Sequence, residues 1–475
     1  MSEKPAPDNS TARENDTGIR YVNLYESEDK VYTRRITGFY QKLRRYTGLP
    51  LIAAFVLMPW LVIDGRPAML FDLPARQFHI LWITFRPQDG MYLAWLLIIA
   101  AFMLFTVTVL VGRVWCGFTC PQTVWTQMYI WAEHFCEGDR NKRIKLDAQP
   151  WHSEKILRKS GKHFLWIVIA LVTALTFVGY FVPVRELILG LATFDIHIAA
   201  AFWVCFFTGA TYMNAGFMRE QVCKYMCPYA RFQSVMYDKD TLSVAYNPKR
   251  GEKRGPRKPG DDYKAMGLGD CIDCSWCVQV CPVDIDIRDG LQAECIDCGL
   301  CVDACNTVMD KMQYPRGLIS FTTDDAIETG HTRVLRPRLV GYLAILLVMI
   351  GVFVHSISSR LPVGLEVLRD RGVRMYRISG ETVQNVYTLK INNLDRGEHT
   401  YDVSVSGDYP FELQGYRALP VAEGETLTIP VRVAVVRDDL TDVKTAVTIR
   451  IQSRANPEIT AEHSTTFIGP QPRGQ

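Results

Sequence analysis

The chain has 475 residues, 48% apolar and 22% charged, so it is long enough for two or three domains and must concentrate its apolar residues in segments. A net charge of +3 is too small to argue for a nucleic-acid partner. All fourteen cysteines fall between Cys116 and Cys305, which argues against a secreted disulfide framework and for metal ligation.

From the start, Met1 to Lys42 is polar and charged, without the apolar core of a signal peptide. Five stretches are candidates for the roughly 17–25 apolar residues that a helix needs to cross a bilayer. They are Tyr46–Ile63, Met91–Val111, Phe164–Val182, Ile196–Met213 and Leu339–Val354. Pro50 and Pro59 interrupt the first and the last is short, so a buried core helix is the competing reading for both.

Lysine and arginine sort the flanking loops. Lys42, Arg44 and Arg45 precede the first span, and the loop after the second is basic from Arg140 to Lys162. Lys249 to Lys258 follow the fourth span, and Arg333, Arg336 and Arg338 precede the fifth. The opposite loops offer only Arg66, Arg76, Arg86 and Arg185. The N-terminus and the cysteine-rich insert therefore belong in the cytoplasm, and everything beyond Val354 outside it. A reducing cytoplasm also keeps thiols free to hold iron. The basic stretch Asn247–Pro259 reads as a solvated linker facing anionic lipid.

After the second and fourth spans come two C-x3-C-P motifs, Cys116-Gly-Phe-Thr-Cys120-Pro121 and Cys223-Lys-Tyr-Met-Cys227-Pro228. On a regular helix positions i and i+4 share a face, so four thiols are expected to converge at one level near the membrane surface. Soft thiolates favour Cu(I) and iron–sulfur chemistry, and Met128, Met213, Met218 and Met226 add thioethers nearby in sequence. Buried free cysteines at helix ends are the plainer reading, but two identical spacings on one membrane side favour a metal-binding or redox-active site. Cys205, within the fourth span, reads as core, and Cys136 is ambiguous. His163 and His197 fall at opposite faces, and nothing pairs His79, His197 and His355 as haem ligands.

Between the fourth and fifth spans stand two four-cysteine runs, Cys271-x2-Cys274-x2-Cys277-x3-Cys281-Pro282 and Cys295-x2-Cys298-x2-Cys301-x3-Cys305. Three closely spaced thiolates grip three corners of a [4Fe–4S] cube, and in two-cluster ferredoxins the last cysteine of each run serves the other cluster. The expected ligand sets are Cys271, Cys274, Cys277 and Cys305 for one cluster, and Cys295, Cys298, Cys301 and Cys281 for the other. Zinc sites use paired C-x2-C knuckles instead of this rhythm.

From about Leu361 the texture changes to short alternating runs: Val373–Ile378, Val386–Ile391, Tyr401–Val405, Leu427–Val433 and Ala446–Ile451. Turn-rich stretches separate them. Period-two alternation of this kind reads as a β-sandwich of roughly 110 residues, immunoglobulin-like but without the Cys…Trp…Cys signature. No catalytic constellation is visible in it, so a docking or stabilising module is expected.

The fold class is thus a polytopic α-helical membrane protein of about five spans, with an inserted 2[4Fe–4S] ferredoxin-like domain and a C-terminal all-β immunoglobulin-like sandwich. Its parts are a tail (1–45), a four-helix membrane domain (46–245), the cluster domain with basic linkers (246–338), a fifth span (339–358) and an exported domain (361–475). In this order the parts resemble the cbb3-type cytochrome c oxidase accessory proteins, the CcoG/FixG/RdxA family, over nearly the whole chain beyond Val31. The resemblance implies reduction of Cu(II) to Cu(I) at the cytoplasmic side of a bacterial inner membrane, for oxidase assembly. Cys116, Cys120, Cys223 and Cys227 would then serve copper reduction or transfer. Implied partners are membrane lipid, copper ion, an electron donor, the oxidase or its copper-delivery proteins, and a second copy of the chain. One departure from the ferredoxin pattern is Asn306 after Cys305, where proline often stands; this touches local geometry and not ligation. A quinol-linked membrane ferredoxin and a non-catalytic assembly scaffold are the rival functions.

Overall fold

The computed structural model describes residues 30–63, 65–85, 87–359, 362–369, 376–395, 397–422 and 424–470. It divides into one unit ending at Val348 and a second beginning at Met349.

Helix α1 (Phe39–Leu57) opens at Phe39 instead of Tyr46, so Lys42, Arg44 and Arg45 lie inside its first turns. The chain then leaves the helical path through a single 3-10 turn that begins with Met58 and Pro59. That basic start sets α1 apart from the four helices that are long and apolar enough to cross a membrane. The loop that follows carries an antiparallel sheet of β1 (Met69–Asp72), β2 (Gln77–Ile80) and β3 (Ile83–Phe85), which the apolar pattern did not foretell.

The first of the four spanning helices is α2 (Gly90–Val111). Helices α3 (Val114–Phe118), α4 (Pro121–Cys136) and α5 (Arg140–Ala148) follow it on one side. The second spanning helix is α6 (Ser153–Val178), which a short helix α7 (Val184–Thr193) joins to α8 (Ile198–Met213). Helices α6 and α8 meet through Ala174, Val178, Ala200 and Val204. Small residues allow this close approach where lipid supplies no hydrophobic drive.

Part of the basic loop turns inward. Arg143 is fully buried and pairs with Glu133 and, at 3.7 Å, with Glu137. Glu133 also takes Arg219 at 2.6 Å, and Glu137 takes Lys159 at 3.0 Å and Lys162 at 3.1 Å. Burial opposes ionisation of Glu133, but Arg219 and Arg143 outweigh it and hold the carboxyl below its ordinary value. Removing one member of such a buried pair costs about 3–5 kcal/mol, so this knot locks α4, α5 and α6 to the chain just past α8.

Past Met213 the helix widens into two π turns, Asn214–Met218 and Val222–Met226. Helix α9 (Pro228–Met236) then leads to β4 (Ser243–Tyr246). Strand β4 pairs antiparallel with β5 (Ile319–Thr322), closing the neck of the cysteine-rich insert. The insert is mostly loop, with α10 (Leu300–Met312) its longest helix. Val280, Val283, Ile287, Leu300, Val302 and Met309 form its buried core. The final apolar helix is α11 (Pro337–Ser358), in which Leu339 and Leu346 are the buried residues.

The second unit is a sandwich of two antiparallel sheets. One runs β10 (Glu412–Gln414), β12 (Thr426–Val436), β8 (Thr382–Asn393), β6 (Val363–Arg369), with β7 (Arg377–Ser379) also on β8. The other runs β11 (Pro420–Val421), β9 (His399–Gly407), β13 (Lys444–Ser453), β14 (Thr460–Ile468). Along β8 every second side chain is buried, from Val383 through Tyr387, Leu389 and Ile391. The expected runs at 386, 401, 427 and 446 lie inside these strands. Half of the run at Val373–Ile378 lies outside the described residues, and its end falls in β7.

Candidate metal centres

The cysteines of the insert line two small cavities. One is walled by Cys271, Cys274, Cys277 and Cys305, with Trp276, Met309 and Ile319 among its apolar neighbours. The other is walled by Cys281, Cys295, Cys298 and Cys301, with Cys277 again at its border. The last cysteine of each run thus reaches across to the other run's cavity. Among the described residues no group of three His, Cys, Asp or Glu side chains is gathered tightly enough to hold a single metal ion. Sulfurs spread around a cavity fit a four-iron cube better than one zinc.

Burial pushes the thiols of Cys277, Cys281 and Cys305 up to about 12, and neighbouring thiols add to this at Cys281 and Cys305. Cys295 and Cys301 are pushed well above the ordinary thiol value, again chiefly by burial. Metal-free, these sulfurs hold their protons, so loading iron must release them. An arginine acts on a thiol of each cavity. Arg288 lines the first and acts on Cys277, while buried Arg44 acts on Cys298. Arg288 is itself pinned by Asp286, with Nη2 at 2.5 Å, and by Asp273.

Asp297, between Cys295 and Cys298, is completely buried and ties the second loop to the membrane helices. Its carboxylate accepts from the Arg113 N–H at 2.8 Å, the Tyr237 hydroxyl at 2.8 Å and the Val244 N–H at 3.0 Å. Gly112 makes room for it: φ is +51° there, and a Cβ would lie 2.6 Å from the Asp297 carboxylate. Gly117 of α3 presses on the same loop, where a Cβ would come within 2.6 Å of the Ile296 carbonyl. Asp297, Gly112 and Gly117 escaped the sequence reading, because their meaning lies in a contact between distant segments.

The C-x3-C-P cysteines do not share one regular helix face, as their i, i+4 spacing suggested. Cys116 lies in α3, while Cys120 is the N-cap of α4 with Pro121 in its first turn. Cys223 sits in a π turn, and Cys227 is the N-cap of α9, again with proline following. Proline suits that first position because its missing N–H costs nothing there. The four thiols still lie near enough to act on one another, though among the described residues no three are gathered tightly enough to hold one ion. Burial raises Cys116 to about 12, and Cys120, Cys223 and Cys227 each add to that, against Arg113. Burial raises Cys120 too, while the N–H groups of Thr123 and Gln122 at the helix start favour its thiolate.

Cys116 Sγ donates to Gln233 Oε1 at 3.3 Å, and Gln233 Nε2 donates to Thr108 Oγ1 at 3.1 Å. Cys116 also packs against the core that contains the second cavity. Cys136 closes α4 against Gly161, and Cys205 is exposed on α8. The histidines are engaged locally: His163 with the Tyr212 hydroxyl at 2.8 Å, His79 with Thr84 at 2.9 Å.

Comparison with known proteins agrees with this layout. A family described as a 4Fe-4S dicluster domain matches residues 218–324, and one described as a 4Fe-4S binding domain matches 93–145. The IG-like fold at the C-terminal of FixG matches residues 353–470. Nitrogen fixation protein FixG of Rhizobium meliloti is 35% identical over 90% of this chain and 87% of its own. Protein RdxB of Cereibacter sphaeroides is 37% identical over 86% of this chain and 89% of its own. Protein RdxA of the same organism is 36% identical over 92% and 96% respectively.

Proposed function

The chain belongs to the FixG/RdxA family of membrane iron–sulfur proteins, and from that premise we propose that it reduces Cu(II) to Cu(I) for assembly of a cbb3-type oxidase. In this reading Cys271, Cys274, Cys277 and Cys305 hold one [4Fe–4S] cluster, and Cys281, Cys295, Cys298 and Cys301 the second. Bound there, the clusters supply one-electron storage at potentials set by nearby charge, hydrogen bonds and exposure. Copper is the substrate, taken between the two C-x3-C-P motifs on the cytoplasmic face.

The observation that carries the reading is the shared wall between the two places. Helix α3 bears Cys116 on the copper side and packs Gly117 against the Ile296–Cys298 backbone on the other. The N–H groups at the start of α4 offset part of the burial that raises Cys120, and Gln233 holds Cys116 in place. Soft sulfur prefers Cu(I) to Cu(II), so capture of the product helps drive the reduction. The thiols are not gathered tightly enough for a single ion before copper arrives, and binding is expected to close them around it.

The test is anaerobic mixing of dithionite-reduced, desalted protein with Cu(II) in the presence of a Cu(I)-specific chromophore. Changing Cys116, Cys120, Cys223 and Cys227 together to Ser should slow Cu(I) formation at least 10-fold, with iron and sulfide content unchanged. Equal rates in the two proteins would remove these thiols from the reaction.

A further inference from the structure

Between α1, α4 and the second cysteine loop lies a cavity of about 810 Å³, within the range of sites that hold small molecules and cofactors. The copper reading makes no use of it. Its outer end is apolar: Trp131 and Phe135 stack with centroids 5.8 Å apart and are 58% and 72% exposed. Leu49 and Ile52 of α1 also line it. Gln127 and His134 bring polar groups to the α4 wall. At the inner end are Val280 and Pro282 on either side of Cys281, Leu300 beside Cys301, and Cys223 itself.

We propose that this cavity binds the head group of a membrane quinone, so that a quinol is the protein's electron donor. The proposal deepens the electron-transfer reading and rests on it. A quinone combines what the walls combine: an apolar tail suited to the aromatic opening, a flat ring, and carbonyl oxygens that accept from an amide N–H. It reaches the backbone beside two of the second cavity's cysteines and one copper-side thiol.

An anionic lipid head group fits less well. Three arginines of the wall are committed elsewhere: Arg34 over the Trp276 ring at 3.8 Å, Arg44 to the Gly117 carbonyl at 3.0 Å, Arg219 to Glu133 at 2.6 Å. Arg35 and Arg45 are exposed, and a carboxylate, Glu220, shares the same wall. The balance is simple. Oxidising one quinol breaks two O–H bonds and releases two electrons and two protons. The electrons match two reductions of Cu(II) to Cu(I). When His134 Nε2 donates to the Thr33 carbonyl at 3.1 Å, Nδ1 is left to pass the two protons, one after the other, towards water.

The experiment uses the full-length, cluster-loaded protein in quinone-free lipid nanodiscs with an azido-quinone photolabel. The label should map to peptides of α1 and α4 and be displaced by decylubiquinone. Ile52→Trp and Gln127→Phe, which fill the cavity from opposite walls, should each cut labelling at least 10-fold while the cluster absorbance stays unchanged. Labelling elsewhere, or labelling that neither variant reduces, overturns the proposal, as does displacement by anionic phospholipid but not by decylubiquinone. The dithionite-driven copper assay bypasses the cavity. Its failure in the wild type would sink the copper reading and leave the quinone site standing.

Discussion

At the scale of single residues, the site is set by charges and hydrogen bonds that no motif announces. Reducing a [4Fe–4S] cluster adds negative charge, and a nearby cation stabilises the reduced form. Arg288 is placed to do this at the first cavity and Arg44 at the second. Arg288→Met should therefore lower the midpoint potential of one cluster and leave the other unmoved, and Arg44→Met should do the converse. Potentiometric EPR titration resolves the two, and equal shifts of both clusters would contradict the assignment. The cysteine positions and their crossed partnership could be read directly from spacing, because a cube of iron demands that rhythm. The partners of those cysteines could not. Asp297 looks like any loop aspartate until Arg113, Tyr237 and Val244, up to 184 residues away in sequence, are folded onto it.

At the scale of elements, the apolar runs foretold four spanning helices well, since a bilayer enforces length and composition. They set the start of α1 too late, because Lys42, Arg44 and Arg45 are folded into the helix and Arg44 is buried against α3. The basic loop at 140–162 was legible as charge but not as structure, because Arg143 and Lys162 are satisfied by Glu133 and Glu137 in the interior. The C-x3-C-P motif misled in one respect: its proline starts a new helix, so the second cysteine is a cap instead of the next turn's neighbour. Contact between α3 and the second cysteine loop is the element-level feature on which the proposed electron transfer to copper depends. Gly117→Ala would force a Cβ against the Ile296 carbonyl, and overpacking of that kind costs about 1–3 kcal/mol. The expected result is a lower thermal midpoint and slower Cu(I) formation, with both clusters still loaded at low temperature. An unchanged rate would show that this contact carries no part of the transfer.

At the scale of the whole molecule, the two units have separate cores. The sandwich was legible because period-two alternation survives without knowledge of strand order. Its outer strands, Val363–Arg369 and Thr460–Ile468, were missed because the expected runs began after one and ended before the other. A fragment spanning residues 362–470 buries Tyr387, Leu389, Val431, Ile449 and Phe467 against one another. It should express as a soluble β-domain with a single cooperative thermal transition by circular dichroism. Aggregation or absence of a transition would mean that the sandwich needs the rest of the chain.

In the proposed mechanism cubane iron held by the insert gives single electrons to copper at the neighbouring thiols. EPR of anaerobically reduced, full-length protein before and after stoichiometric Cu(II) tests this most directly. Two interacting [4Fe–4S] signals should be present at first, then vanish as the Cu(II) signal fails to appear and Cu(I) forms in equal number to the electrons lost. Cluster signals that persist beside an intact Cu(II) spectrum would contradict it.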